Sequence, residues 1–214
     1  MANHLVVGSM ASIWCAFRTF ADHAAEMDHD LLPAPGFFLK PWSAQAHPPV
    51  GCELDLPPGL NLIHHEVELV VRLARAPDGL MIPESVAIGI DLTEREIQAK
   101  AKREGLPWTE SKGFRNSAIL GGFAALPIGL EHHRLELAIN GAPRQEAAIS
   151  DCLFSVLELI ESLEKWAPLE AGDLLFCGTP AGVGAMADGD RVEARLLNPD
   201  GEPISEIDLT LRIP

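Results

Sequence analysis

At 214 residues the chain can bury a full hydrophobic core without a disulfide or structural metal. Its 47% apolar and 22% charged residues are ordinary for a globular protein, and a formal charge of -15 argues against a surface built for nucleic acid or an anionic membrane. So acidic a chain can bind a small anion only with local positive charge, so a metal ion and a few placed Arg or Lys side chains are expected.

The apolar stretch Leu5 to Phe17 lacks a basic flank and a small-residue cleavage site, and reads as a buried strand rather than a signal peptide. No apolar run approaches the ~20 residues that span a bilayer. His23 and Glu26 lie three apart. On a short helix they would touch, the carboxylate orienting the imidazole to take a proton from water; a solvent-facing pair is the alternative. Asp28 to Gly36, with Leu-Leu-Pro-Ala-Pro-Gly, reads as a loop that could act as a lid. In His64-His65-Glu66-Val67-Glu68-Leu69-Val70-Val71, strand geometry points Glu66 and Glu68 to one face and Val67, Leu69 and Val71 to the core. Adjacent carboxylates repel unless a cation or proton intervenes, and hard oxygen donors favour Mg²⁺, Mn²⁺ or Ca²⁺ over zinc; a solvated strand face is the plain alternative.

Asp91 ends the apolar run from Val86 to Ile90, as a ligand or a helix cap. Thr93-Glu94-Arg95-Glu96 has the form of a capping box, predicting a helix to about Arg103 that ends at Gly105 and Pro107. Arg95 and Gln98 share a face of that helix, and Lys112 follows the Gly105–Trp108 turn. Leu135 to Ile139 reads as a strand ended by the hairpin turn Asn140-Gly141. A helix is predicted over about Asp151 to Trp166, with Leu153, Val156, Leu157, Ile160 and Leu163 as its apolar stripe. Arg191 to Leu196 and Ile207 to Ile213 alternate as strands with one wet face, joined through Asn198-Pro199-Asp200-Gly201. Many strands and few helices without a βαβ rhythm predict a β-rich α+β domain. Cys15, Cys52, Cys152 and Cys177 form no CxxC pair, a pattern of reduced thiols that points to the cytoplasm, with Cys177 in the core.

The motifs, in their order, resemble the fumarylacetoacetate hydrolase family, in particular its small single-domain members. The resemblance rests on Phe38-Leu39-Lys40-Pro41, His64-His65-Glu66-Val67-Glu68, Asp91-Leu92-Thr93 with Arg95 and Gln98, Gly105-Leu106-Pro107-Trp108, Ser111-Lys112-Gly113-Phe114, and Gly178-Thr179-Pro180-Ala181-Gly182-Val183-Gly184. It covers a catalytic domain over residues 15–214, preceded by residues 1–14 as an extension or first strand. It implies rolled mixed sheets with few helices and a homodimer. It implies Glu66, Glu68 and Asp91 as ligands to Mg²⁺ (or Mn²⁺, with Ca²⁺ a crystal substitute). It also implies His23 and Glu26 as a water-activating dyad, Lys112 as a catalytic cation, and Arg95, Gln98 and Thr179 as contacts to a small 2-oxo acid. The implied reaction is C–C hydrolysis of a 3-acylpyruvate such as fumarylpyruvate, with oxaloacetate decarboxylation or hydroxymuconate isomerisation as alternatives through the same enolate. A non-catalytic module binding a 2-oxo acid is the reading from another class. The chain departs from the family where small members carry Gly-x-Asn-Tyr, having Phe17-Arg18-Thr19-Phe20 instead.

Overall fold

A computed structural model describes residues 11–26 and 32–214. Strand far outweighs helix, as a β-rich α+β domain requires. The largest sheet runs in the order Gly36–Lys40, Ile13–Phe17, Leu174–Phe176, Val67–Arg75, Met81–Asp91, Ala118–Leu120 and Gln45–Ala46, with Ala124–Ala125 added beside Met81–Asp91. A second sheet is ordered Ala142–Ala148, Arg134–Ile139, Arg191–Leu197, Pro203–Arg212 and Cys52–Asp55. The third holds Gly184–Ala185, Ile63–His65 and Thr93–Glu94. The helices are α1 (Ala21–Glu26), α2 (Arg95–Glu104), α3 (Thr109–Lys112) and α4 (Val156–Glu164).

Alternation in the central strand shows where the layers lie. Val67, Leu69, Val71 and Leu73 join the main core with Ile88, Ile90, Leu137, Leu196 and Leu209. On the opposite face Val70 packs in a smaller cluster with Ile13, Cys15, Leu174 and Phe176. The central strand is thus buried on both faces, although the sequence pattern predicts one dry face and one polar face. Glu68 lies on the face of the smaller cluster.

The predicted strands over 135–139, 191–196 and 207–213 all form, the last beginning earlier, at Pro203. Asn140 and Gly141 have φ of 53° and 75°, which suits the two-residue hairpin turn joining Arg134–Ile139 to Ala142–Ala148. Three expectations are corrected. The cap of α2 is Glu94, whose side chain accepts from Ile97 N–H, because Thr93 is committed to a buried bridge. The predicted helix over 151–166 shortens to α4, capped by Ser155, with Asp151 in a 3-10 turn. Leu153 and Leu157 are exposed rather than on the buried stripe of Leu159, Ile160 and Leu163. Of the predicted N-terminal strand, Ile13–Phe17 is formed and Leu5 to Met10 lie outside the described residues, as do Asp28 to Leu31 of the predicted loop.

All four cysteines are free. Burial pushes the Cys15 and Cys177 thiols well above their usual range, with nearby acidic side chains adding to the effect. Thiolate is the reactive form, so native protein at pH 8 should leave Cys15 and Cys177 unmodified by iodoacetamide until denaturant is added. Mass mapping checks this, and rapid native labelling of either would contradict the placement of these strands.

Candidate active site and metal centre

The register of two strands builds the acidic centre. Glu68 pairs opposite Gly89 and Val67 opposite Ile90, so Glu68 and Asp91 project from the same face. Glu66 occupies the single-residue break between Ile63–His65 and Val67–Arg75, and its carbonyl accepts the Asp91 N–H at 2.8 Å. A Cβ at Gly89 would lie 2.4 Å from Val70 Cγ2 and 2.8 Å from Phe176 Cε1, so only glycine lets the strands close at this point. Glu66, Glu68 and Asp91 are all buried, each with a carboxylate oxygen within 4.8 Å of the others. Asp91 ends a strand, so the helix-cap alternative falls away.

Cations from other elements face this cluster. Lys112 Nζ, at the end of α3, donates to Glu66 Oε2 at 2.7 Å and to Asp91 Oδ2 at 2.6 Å. Arg95 donates to Glu66 Oε1 and, at 2.8 Å, to Gln98 Oε1, and the Thr93 hydroxyl donates to Glu66 Oε1 at 3.1 Å. Burial alone would raise the Glu66 carboxyl, but the Lys112 and Arg95 charges outweigh it and hold that carboxyl well below the usual range. Among the described residues, Glu68 has only the Gly178 N–H, donating at 2.6 Å to Oε2. Burial, then the Asp91 and Glu66 charges, push its carboxyl well above the usual range. The Lys112 ammonium is raised: the Asp91 and Glu66 charges overcome its burial.

These residues fit a divalent ion. The donor set is entirely carboxylate oxygen, suited to Mg²⁺, Mn²⁺ or Ca²⁺. Among the described residues, Glu68 lacks a side-chain cation of its own, and the buried Asp91 Oδ1 has no hydrogen-bond partner. Lys40 Nζ lies 2.6 Å from that oxygen without hydrogen-bond geometry; its hydrogen bonds go to the carbonyls of Leu92, at 3.2 Å, and Lys112.

The predicted dyad forms: His23 Nδ1 lies 3.2 Å from Glu26 Oε2. Both Glu26 oxygens accept the Gly182 N–H at 3.2 Å, which staples α1 to the Gly178–Gly184 loop. Gly182 is required there, with φ of 93° and a hypothetical Cβ only 2.0 Å from the Arg144 carbonyl. Thr179 is held by a residue the sequence reading missed. Gln145, buried in Ala142–Ala148, donates through Nε2 to Thr179 Oγ1 at 2.8 Å and to the Pro180 carbonyl at 2.9 Å. Its Oε1 accepts Val67 N–H at 3.0 Å and pairs with His65 Nδ1 at 2.9 Å. Because Thr179 Oγ1 accepts from Gln145, the Thr179 hydroxyl proton remains available to a ligand.

A small cavity of about 50 Å³ is lined by His23, Glu66, Glu68, Arg95, Gln98, Lys112 and Thr179. Asp91 adjoins it through Lys112, and Glu26 stands behind His23. All nine predicted site residues therefore come together. The sequence reading assigned no role to Lys40, Thr93, Gln145, Arg18 or Lys102. Lys40 stands in the Phe38-Leu39-Lys40-Pro41 motif; Gln145, inside an otherwise wet hairpin strand, offered no signal. A larger cavity, about 520 Å³, has an apolar wall including Phe20, Leu130, Phe154 and Leu157 and carries no cation, so it does not suit a small anion.

The family model described as fumarylacetoacetate (FAA) hydrolase C-terminal matches residues 12–209. The mitochondrial oxaloacetate tautomerase of Rattus norvegicus is 39% identical over 193 residues, covering 86% of each chain. An oxaloacetate tautomerase of Escherichia coli is 32% identical over 192 residues, covering 86% of this chain and 87% of that one. Among solved structures, fumarylpyruvate hydrolase from Pseudomonas aeruginosa in complex with Mn²⁺ and pyruvate superposes with a TM-score of 0.84 at 30% identity, covering 96% of this chain and 91% of that one. The 5-carboxymethyl-2-hydroxymuconate delta-isomerase from Mycobacterium smegmatis gives a TM-score of 0.77 at 26% identity, covering 96% and 80%. With the match to the family model running over residues 12–209, the chain belongs to the fumarylacetoacetate hydrolase family.

Proposed function

We propose that the chain is a divalent-metal-dependent hydrolase that cleaves the C–C bond of a small acylpyruvate, such as fumarylpyruvate, to pyruvate and a carboxylic acid. The supporting observation is the His23–Glu26 pair, whose imidazole lines the same cavity as Glu66 and Glu68. Glu66, Glu68 and Asp91 would hold Mg²⁺ or Mn²⁺; when bound, the ion supplies Lewis-acid polarisation of the 2-oxo oxygen.

The chain's own residues do the rest. Glu26 holds His23 through Nδ1, which leaves Nε2 as the base. His23 takes a proton from water as the water oxygen attacks the acyl carbonyl. Collapse of the tetrahedral adduct breaks the C–C bond, giving the carboxylic acid and a pyruvate enolate. Lys112 and Arg95 place positive charge beside the enolate, which gains a proton on carbon to give pyruvate. The free Thr179 hydroxyl proton and Gln98 orient the substrate carboxylate.

A second reading is action on oxaloacetate, by tautomerisation, which the names of the relatives above favour, or by decarboxylation. It proceeds through an enolate in the same cavity but needs no attacking water. Exposed Leu126, Ile128 and Leu157 beside the larger apolar cavity support a homodimer as the working form. The free cysteines support a reducing compartment, in keeping with the cytoplasm.

Pyruvate release from fumarylpyruvate should require Mg²⁺ or Mn²⁺ and stop with EDTA. Glu66→Gln or Asp91→Asn should lower kcat/KM by about 10³-fold or more, on the scale of the several kcal/mol a metal supplies, and weaken Mn²⁺ binding in parallel. Full turnover in either variant would refute the metal assignment. His23→Ala should cut hydrolysis by roughly 10²–10⁴-fold while sparing oxaloacetate enolisation. Equal loss of both activities would show that His23 is not there to activate water.

A further inference from the structure

Two cations of the cavity have no part in the chemistry above. Arg18 follows the Ile13–Phe17 strand, and Lys102 lies on α2; both line the cavity that holds Glu66 and Glu68. Spacings of three and four turn Arg95, Gln98 and Lys102 onto one face of α2. Arg18 reaches the same space from a different element.

The charge pairing leaves these two over. Glu66 and Asp91 are answered by Lys112, Arg95 and Lys40. Among the described residues, neither Arg18 nor Lys102 has a carboxylate partner. Lys102 Nζ instead lies 5.4 Å from the Trp108 ring centroid, on an aromatic wall where Trp108 packs against Phe17 and Phe38 at 5.3 and 5.9 Å. Burial, then the Arg95 and Arg18 charges, hold the Lys102 ammonium below its usual range. Like charges crowd here in a protein whose formal charge is -15.

The backbone adds an independent sign. Arg18 has φ of 58°; the other described non-glycine residues with positive φ, Asn116 and Asn140, are of a type that tolerates the left-handed region. An arginine kept in that conformation at a cavity wall marks a position where local stability yields to placement of the side chain.

We propose that Arg18 and Lys102 form a second anion subsite that binds the distal carboxylate of a 2-oxo diacid, and so make the protein selective for dianionic over monoanionic substrates. The proposal rests on the reading that the acidic triad takes the 2-oxo end of the substrate. Two carboxylates of one substrate then meet two separate sources of positive charge in the same cavity.

The test compares fumarylpyruvate, which carries a distal carboxylate, with acetylpyruvate, which ends in a methyl group, on the Mn²⁺-loaded full chain. The readout is the ratio of the two kcat/KM values within one preparation, so loss of folded protein cancels. Lys102→Met and Arg18→Met should each lower that ratio at least tenfold, the double variant more, and Lys102→Arg should recover most of the loss. A ratio unchanged in both single variants would overturn the subsite. If the wild-type protein hydrolyses neither compound, the hydrolytic reading fails by itself. The same variants are then titrated with 2-oxoglutarate and pyruvate in the presence of Mn²⁺: selective weakening of the diacid supports the subsite, and equal weakening or none overturns it.

Discussion

The structure is organised around the cost of burying three carboxylates together. With oxygens of Glu66, Glu68 and Asp91 within 4.8 Å of one another, each ionised pair repels by about 3–4 kcal/mol at an effective dielectric of ~20. No domain of ordinary stability carries such a cluster without compensation. The compensation explains much of the surrounding architecture: Lys112 at the end of α3, Arg95 at the start of α2, Lys40 from the Gly36–Lys40 strand, and the Gly178 N–H from the loop after Leu174–Phe176. Four segments distant in sequence are tied to one charge centre. Glu68, with no side-chain counter-ion of its own among the described residues, is where a bound cation has most to offer.

The sheet makes this cluster rigid and the loops make it useful. Val67–Arg75 and Met81–Asp91 are covered on both faces, so the acidic side chains project from a scaffold that cannot relax to separate them. Gln145 then fixes the Thr179 loop against the His64–Glu68 segment from the second sheet, using both of its amide N–H groups and its oxygen. Glu26 fixes the other end of that loop through Gly182. The Gly178–Gly184 segment is therefore a hinge of contacts between acid cluster, dyad and hydroxyl donor rather than a free turn.

The sequence made the ligands legible because their chemistry is unusual at their positions: paired glutamates inside an apolar strand and an aspartate ending another. Alternation likewise revealed the C-terminal strands, whose outer face is wet. What stayed hidden depended on tertiary pairing. Thr93 resembled a helix cap locally but is fully buried against Glu66, so the cap passed to Glu94. Leu153 and Leu157 fit a helical stripe, yet α4 starts only at Val156 and buries a different set. Gln145 was silent because its partners lie 34 and 78 or more positions away. Arg18 and Lys102 received no role from the sequence, and only the fold shows that they share a cavity.

The most direct measurement of the central claim is a Mn²⁺-soaked crystal recorded at the manganese edge. The account predicts one anomalous peak within coordination distance of carboxylate oxygens from Glu66, Glu68 and Asp91, lost in crystals of the Glu68→Gln variant. An anomalous peak held elsewhere, with the three acids pairing only with Lys112, Arg95 and Lys40, would contradict it.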